Sequence, residues 1–408
     1  MDMAKPIIRF KGYQDDWEQR KLEDIAEFSK GSGYSKGDLI ESGTPIILYG
    51  RLYTKYETSI SEVDTYVEAK DGSVYSKGGE VIVPASGETA EDIARAATVD
   101  KSGVILGGDL NVVSPNEDIN SAFLAISISH GNSQRELAKK AQGKSVVHIH
   151  NEEIKNLVVP FSANAEQNKI VEYFSNLDHL ITLHQRKCDE TKRLKKYMLQ
   201  KMFPQNGEKV PEIRFSGFTD DWEQRKLSEL LVERNVQHSQ SEEFPLVSFT
   251  VENGVTPKTE RYEREQLVRG DKSAKKYKET RLDDIVYNPA NLKFGAISRN
   301  KLGNAVFSPI YVTFEVKKDL VKPSFIEMVV TRKNFIQKAL QYQQGTVYER
   351  MAVNTEDFTN LDVYIPNGFE QEKIGNYFEN LDHLITLHQR ELENLQNIKK
   401  FMLGKMFV

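Results

Sequence analysis

One stretch of the sequence has residue types and spacing that could hold a phosphate. Residues 138–145 fit a loose phosphate-loop pattern that ends in Gly143, Lys144 and Ser145. A phosphate loop follows a strand and opens a helix, so that backbone N–H groups face the phosphate. Here a helical run precedes the glycine and a strand-like run follows it, which is the reverse order. The matching stretch of the second half, residues 342–346, has lost the lysine, so we do not expect a phosphate site.

The other candidates for catalysis or metal binding are weaker still. Residues 288–291 resemble the Asn-Pro-Pro-aromatic signature of amino-methyltransferases but lack the second proline and the aromatic residue, so a turn is expected. His148 and His150 alternate along a strand-like run, with no cysteine or acidic cluster at ligand spacing. The single cysteine, Cys188, cannot form an internal disulfide, which indicates a reducing cytoplasm, and we expect it to be a buried apolar residue. The sequence therefore predicts neither catalytic residues nor a metal site.

Nucleic-acid binding is indicated by two stretches that interleave basic and aromatic residues, residues 49–56 and 261–281. Such residues suit contacts to phosphates and base edges. The alternative is a solvated charged surface, because four acidic residues dilute the second stretch. The formal net charge of -5 argues against tight binding of DNA by this chain alone, but permits a partner that supplies most phosphate contacts. The candidate DNA-binding residues are Arg51, Lys55, Lys272, Lys275, Lys276, Arg299 and Lys301. If Arg299 reaches a base edge, its loss should relax specificity at one position.

These residues must be positioned by a chain that is organised around a repeat. Residues 176–186 recur verbatim as residues 380–390, and apolar residues around both copies fall at helical spacing. Residues 166–203 as one helix would run roughly 57 Å at about 1.5 Å per residue, which calls for a partner helix of equal length. Its copy is the obvious partner, with Cys188 and Leu194 also on the stripe. The predicted interface of the pair is Ile170, Phe174, Leu177, Ile181, Ile374, Phe378, Leu381, Ile385 and Leu392.

A second repeat shows that the whole chain of 408 residues is a tandem duplication. The phrase Asp-Asp-Trp-Glu-Gln-Arg-Lys-Leu surrounds both Trp17 and Trp222, 205 positions apart. Each half has a lead-in segment, a mixed globular domain and a long helix, so the expected fold class is α+β. Residues 305–316 are predicted to form a strand, and a last strand precedes each long helix. The lead-in segments and helices match closely, whereas the interiors, residues 29–130 and 235–330, match only in the order of their elements. The interiors are therefore expected to bind different things.

This combination of features resembles the specificity subunit of type I restriction-modification enzymes. The resemblance implies two target recognition domains, residues 1–160 and 205–366, which read the two halves of a bipartite double-stranded DNA site. It implies two spacer helices, residues 161–204 and 367–408, paired as an antiparallel coiled coil. It also implies two docked methyltransferase subunits, recruited restriction subunits, and no catalytic residues or cofactor in this subunit. S-adenosylmethionine, ATP and Mg would then be bound by the partners.

Symmetry supports the antiparallel arrangement, since equivalent helices pair most symmetrically about a pseudo-dyad. Two readers so related would meet DNA sites about one helical turn apart, near 34 Å. The apolar stripe alone would also allow parallel pairing. The alternatives to a DNA reader are a coiled-coil interaction scaffold that does not read DNA and an enzyme with an unrecognised site. A gel-shift assay with and without a methyltransferase would separate the reader from the scaffold.

Overall fold

The structure is a computed structural model that describes residues 6–143, 146–205, 207–251, 253–257, 276–345 and 351–407. The chain divides into two compact units. The first contains residues 1–185 and 390–408, and the second contains residues 186–389. Each unit combines a mixed α+β domain, the fold class that the sequence predicts, with parts of two long helices. In the part of the chain that is described, no helix is long and apolar enough to cross a membrane.

The first unit is built around a sheet whose central strands are covered on both faces. Its strands are β1 Glu18–Lys21, β2 Ala26–Lys30, β3 Leu39–Ile40, β4 Thr44–Ile47, β5 Ser59–Ile60, β6 Tyr66–Val67, β7 Glu80–Pro84, β8 Ser86–Gly87, β9 Ala97–Val99, β10 Ile105–Leu106, β11 Leu110–Pro115, β12 Val147–His148 and β13 Val158–Phe161. The main sheet has the order β2–β11–β7–β9–β5, and a smaller one has the order β10–β4–β6–β3. All of β7 is buried, which explains its continuous apolar run.

Short helices cover the main sheet of this unit. The helices are α1 Arg51–Thr54, α2 Ala90–Ile93, α3 Ser121–Ser129, α4 Gly131–Lys140, α5 Asn151–Lys155 and the long α6 Asn164–Lys201. The side chain of Asn120 accepts a hydrogen bond from the Phe123 N–H at 3.1 Å and so caps α3 at its start. Helix α3 packs against β7, β9 and α4 and is buried nearly all round, because both of its faces are covered.

The second unit repeats the frame of the first with a different interior. Its strands are β14 Glu223–Lys226, β15 Leu231–Glu233, β16 Gln237–His238, β17 Val247–Thr250, β18 Gly254–Pro257, β19 Tyr277–Thr280, β20 Ile285–Tyr287, β21 Ile297–Arg299, β22 Ala305–Phe307, β23 Val312–Val316 and β24 Asp362–Ile365. Its helices are α7 Leu227–Leu230, α8 Pro323–Thr331, α9 Lys333–Leu340, α10 Thr355–Thr359 and the long α11 Gly368–Met406. The order β15–β23–β20 matches β2–β11–β7, and the antiparallel pair β14–β24 matches β1–β13. The strands that flank these shared parts differ.

The two long helices run in opposite directions. Helix α6 begins in the first unit and ends in the second, whereas α11 begins in the second and ends in the first. In the first unit Asp178 of α6 forms an ion pair with Lys399 of α11 at 2.5 Å. In the second unit Lys195 of α6 forms the equivalent pair with Asp382 of α11. From the first pair to the second, the residue number rises from 178 to 195 on α6 and falls from 399 to 382 on α11. The two helices are therefore antiparallel.

Six of the nine predicted interface residues lie in the cores of the two units. In the first unit Ile170, Phe174 and Leu177 are buried together with residues 403, 406 and 407 at the end of α11. In the second, Ile374, Phe378 and Leu381 are buried together with residues 202 and 203 at the end of α6. These six residues therefore share a core with a globular domain and with the end of the opposite helix. The remaining three predicted residues, Ile181, Ile385 and Leu392, are half-buried.

Two local expectations need correction. Leu194 was predicted on the apolar stripe but is exposed, because six residues beyond the buried Cys188 the helix has turned about 240°, away from the seam. Residues 305–316 form two strands rather than one. The chain turns at residues 308–311, where Pro309 lacks the N–H that a continuous strand would use.

A set of contacts at the helix ends, which we call the helix-end clamp, occurs once in each unit. In the first unit it consists of Ile8, Arg9, Trp17, Glu166 and Phe407. Arg9 donates two hydrogen bonds to the buried carboxylate of Glu166 in the first turn of α6, at 2.6 and 2.7 Å. The Trp17 indole N–H donates to the same carboxylate at 3.1 Å, and its ring packs edge-on against Phe407 near the end of α11. The clamp thus joins the start of one long helix to the end of the other.

The clamp of the second unit consists of the equivalent residues Ile213, Arg214, Trp222, Glu370 and Phe203. Arg214 donates two hydrogen bonds to Glu370, both at 2.7 Å, and Trp222 packs edge-on against Phe203. The Ile213 N–H donates to the carbonyl of Lys201 in the last turn of α6 at 2.9 Å. In the first unit the Ile8 N–H donates to the carbonyl of Lys405 at 3.2 Å. These bonds satisfy carbonyl groups that a helix end leaves unpaired.

Glu166→Gln tests the clamp, because it keeps the shape of the side chain but removes the buried charge that the Arg9 guanidinium binds. Breaking a buried ion pair costs roughly 3–5 kcal/mol. Arg9 is partly exposed, so we expect the free energy of unfolding to fall by about 2–3 kcal/mol in urea denaturation followed by tryptophan fluorescence. Glu172→Gln, which removes an exposed pair with Lys169, is the control and should not move the midpoint. Equal effects of the two variants would contradict this role of the clamp.

Candidate nucleic-acid interface

A groove in the first unit contains one of the two stretches that the sequence marked for nucleic-acid binding. The groove has a volume of about 730 Å³ and lies between residues 34–39, helix α1 and the turn at Gly108 and Asp109. The ring of Tyr49 is partly exposed at its wall, next to the ring of Tyr53. A concave surface with an exposed aromatic ring suits stacking by an unpaired base or contact with a sugar.

Two predicted DNA-binding residues line this groove, but their charges are already paired. The guanidinium of Arg51 donates to Asp64 and Glu57, both at 2.7 Å, and to the carbonyl of Glu62 at 2.9 Å. Lys55 also binds Asp64, at 2.9 Å. The hydrogen bonds from Lys55 and Arg51 lower the pKa of Asp64 to about 2. Arg51 is buried and shapes helix α1, so it presents little free charge to a ligand.

The groove has a further cation that the sequence analysis missed. Lys36 is exposed and, among the described residues, has no ion-pair partner. It lies in a short 3-10 turn that Ser35 and Asp38 close with a capping box. Hydrogen bonds from Lys70 and Ser35 lower the pKa of Asp38 to about 2, so its carboxylate is bound locally. The glycine-rich phrase at residues 31–37 was the signal in the sequence that a lysine would be presented on a tight turn.

Tyr34 forms the floor beside this lysine. Its ring is buried, and the Lys70 ammonium lies 4.6 Å from the ring centroid. Its hydroxyl accepts a hydrogen bond from the Lys70 N–H at 2.7 Å and bonds to the Ser73 hydroxyl at 2.5 Å. These contacts fix the floor of the groove, so Lys36 and Tyr49 stand on a rigid support.

The predicted residues of the second unit do not form one site. Arg299 donates to Glu327 at 3.0 Å, to Asp283 at 3.1 Å and to Glu379 of α11 at 2.5 Å. Lys301 binds Glu327 at 3.2 Å, and Lys276 donates to the hydroxyl of Ser239 at 3.3 Å. Lys272 and Lys275 lie outside the described residues.

The surroundings of Arg299 indicate a positioning role. Burial pulls its pKa down, but the charges of Glu327 and Glu379 outweigh burial and raise it above the ordinary value. Its donors are committed to three carboxylates, and reading a base would require breaking these ion pairs. Arg299 thus connects β21 to α8 through Glu327 and to α11 through Glu379. These ion pairs explain its burial, which a contact with a DNA base would not.

A polar cluster beside the groove has the three residue types of a nucleophilic triad, but its hydrogen bonds do not connect them in the order that such a triad needs. The Ser86 hydroxyl is 3.2 Å from the Asp109 carboxylate and 3.1 Å from His148 Nδ1. In a nucleophilic triad the histidine lies between the serine and the carboxylate, whereas here the serine lies in the middle. Asp109 also holds a left-handed backbone, with φ at 59°. The cluster therefore supports the turn at the groove. Among the described residues, no group of three His, Cys, Asp or Glu could hold a metal ion.

Comparison with known proteins relates this chain to one family. Residues 14–193 match the family model described as the type I restriction modification DNA specificity domain. The putative type I restriction enzyme MjaX specificity subunit of Methanocaldococcus jannaschii is 23% identical over 414 aligned positions, which cover 95% of this chain and 91% of that protein. The MjaVIII specificity subunit of the same organism is 20% identical with the same coverage. The resemblance predicted from the sequence is therefore confirmed.

The fold agrees with these relatives. The crystal structure of a type-I restriction-modification system S subunit from M. genitalium superposes with a TM-score of 0.64. The match covers 99% of both chains at 14% sequence identity. At this identity the likeness shows that the fold is shared over the whole length.

Lys36→Ala tests the groove as a nucleic-acid interface. If Lys36 contacts one phosphate, the variant should bind all duplex sequences more weakly. The slope of log K against log salt should then fall by about one. Fluorescence anisotropy with a labelled duplex at several salt concentrations measures this slope. Lys101→Ala removes an exposed lysine outside the groove and serves as the control. Identical slopes for wild type and both variants would remove Lys36 from the interface.

Proposed function

We propose, from the match of residues 14–193 to the type I restriction modification DNA specificity domain family, that this chain is the DNA sequence-recognition subunit of a type I restriction-modification complex. In this proposal residues 1–160 and 205–366 are target recognition domains, and each reads one half of a bipartite, asymmetric site. Residues 161–204 and 367–408 are the spacer helices that fix the number of unread bases between the halves.

The observation that carries this proposal is a shared frame with unlike interiors. Both units contain the same clamp, the same strand pair before the long helix and the same three-strand order. Their interiors differ in the strands beside this frame, and the groove at Lys36 and Tyr49 is walled by residues of the first interior. A partner bound twice requires the same surface twice, whereas two different half-sites require two different surfaces.

The partner surface is supported by exposed apolar residues that recur in both units. In the first unit these residues are Leu180 on α6 with Ile398 and Phe401 on α11. In the second unit the equivalent residues are Leu384 on α11 with Leu194 and Tyr197 on α6. Exposed apolar residues that recur at equivalent positions mark an interaction surface better than scattered ones. We assign this repeated surface to two methyltransferase subunits, around which restriction subunits assemble.

Catalysis in this proposal belongs to the partners. S-adenosylmethionine, ATP and Mg bind to the methyltransferase and restriction subunits, and this chain contributes selection of the DNA sequence. The polar cluster at Ser86 and the ion pairs of Arg299 are accounted for by structural roles, which is consistent with a subunit that positions DNA rather than reacts with it. Because the proposed complex acts on cellular DNA, we place it in the cytoplasm.

Exchange of one interior tests the proposed division of labour. Residues 235–330 are replaced by the matching interior of a relative, while the clamp and the long helices keep their sequence. The methylated site, mapped by single-molecule sequencing, should change in one half only. The reciprocal exchange of residues 29–130 is the matched control and should change the other half. If either exchange alters both halves, or neither, the assignment of one domain to one half-site is wrong.

A further inference from the structure

Each unit contains a cavity of the same design between its globular domain and the two long helices. The cavity of the first unit has a volume of about 660 Å³ and is walled by the start of α4. The cavity of the second has a volume of about 490 Å³ and is walled by the start of α9. Five lining residues of each are identical in the duplication. They are Asp178, Ile181, Lys399, Lys400 and Leu403 in the first unit and Asp382, Ile385, Lys195, Lys196 and Leu199 in the second.

The rims of both cavities carry an excess of positive charge, although the whole chain has a net charge of -5. One lysine of each cavity is paired with the aspartate of the opposite helix. The next lysine, Lys400 in the first unit and Lys196 in the second, is exposed and has no ion-pair partner in the part of the chain that is described. Arg135 adds to the first rim, and Lys192 and Lys333 add to the second.

Arg332 in the second cavity shows the same lack of counter-charge. Burial lowers its pKa to about 10. Its guanidinium lies 4.5 Å from the centroid of the Phe203 ring, and its buried Nε has no hydrogen-bond partner among the described residues. The Arg332 guanidinium therefore has no carboxylate partner among the described residues. A bound acidic group would supply one.

Each cavity has an apolar part to its lining, which we call its floor. Ile181 and Leu403 form part of the first, and Ile385 and Leu199 form the same part of the second. A DNA backbone has phosphates for the cations but no side chain for such a floor. The two half-sites of an asymmetric DNA sequence also differ, whereas these cavities repeat the same residues. A protein segment with an apolar anchor between acidic residues fits both features.

We propose that the two cavities bind the same acidic segment of a partner subunit that is present twice, with carboxylates flanking an aliphatic or aromatic anchor. This inference rests on the proposed function, which supplies such a partner in the methyltransferase subunit. The anchor occupies the Ile–Leu floor, and the carboxylates pair with the unpaired lysines of the rim. Each cavity receives residues from both long helices, so docking also requires the antiparallel pair to be intact.

Charge reversal in the full chain, co-expressed with a type I methyltransferase subunit, tests the inference by native mass spectrometry. The wild type is expected to bind two methyltransferase subunits. Lys400→Glu and Lys196→Glu should each leave one bound, and the double variant should bind none, with affinity reduced roughly tenfold or more per reversed charge. Lys187→Glu is the matched control on α6, because the repeat already has Glu391 at the equivalent position, and it should bind two.

The other outcomes separate the two proposals. If the wild type binds two subunits and both charge reversals still bind two, the cavities are not the docking site and the proposed function stands. If the wild type binds none, the assignment of the methyltransferase as partner fails and this inference fails with it.

Loss of DNA affinity without loss of methyltransferase binding would identify the lysines as phosphate contacts and overturn the inference. Thermal melting of each variant must match the wild type, and Lys400→Ala and Lys196→Ala, which add no new charge, repeat the measurement with a smaller loss expected.

Discussion

The bidentate ion pair between Arg9 and Glu166, with its copy between Arg214 and Glu370, is the interaction on which the rest of the structure depends. Each glutamate is fully buried in the first turn of a long helix, where the positive end of the helix dipole favours a carboxylate. The same lead-in segment donates a backbone N–H to the last turn of the other long helix. One segment of each unit therefore fixes the start of one helix and the end of the other.

Buried ion pairs of this kind are a poor way to gain stability, since desolvation of both charges offsets most of their attraction. Their geometry is specific, however, because the guanidinium donates two parallel hydrogen bonds to the two oxygens of one carboxylate. We interpret the clamp as a set of contacts that fixes the position of the lead-in segment on the ends of the two long helices. A globular domain attached in this way keeps its orientation on the helices while its interior changes, which is what a family of readers for different sequences requires. The copies are not identical in detail, because the Trp222 N–H has no hydrogen-bond partner among the described residues, whereas the Trp17 N–H bonds to Glu166.

Much of this frame could be predicted from the sequence, because repeats and helical periodicity are local signals. The duplication, the long helices and the buried positions of Phe174 and Phe378 follow from spacing alone. The partners of Arg51 and Arg299 could not be predicted, because both arginines lie in stretches that also suit a DNA-binding surface. Glu166 was missed as the centre of the clamp because Arg9 is 157 positions away in the chain. Lys36 was not among the predicted residues, although its glycine-rich turn also contains Tyr34 and so carries a basic residue beside an aromatic one.

We infer that one frame, present twice, presents two unlike readers to one DNA site. The most direct test is to map every methylated position in DNA modified by the complex that contains the unaltered chain, using single-molecule sequencing. We expect one bipartite site whose two half-sites differ in sequence and are separated by a constant number of unread bases. A continuous site, or two half-sites that are inverted copies of each other, would contradict it.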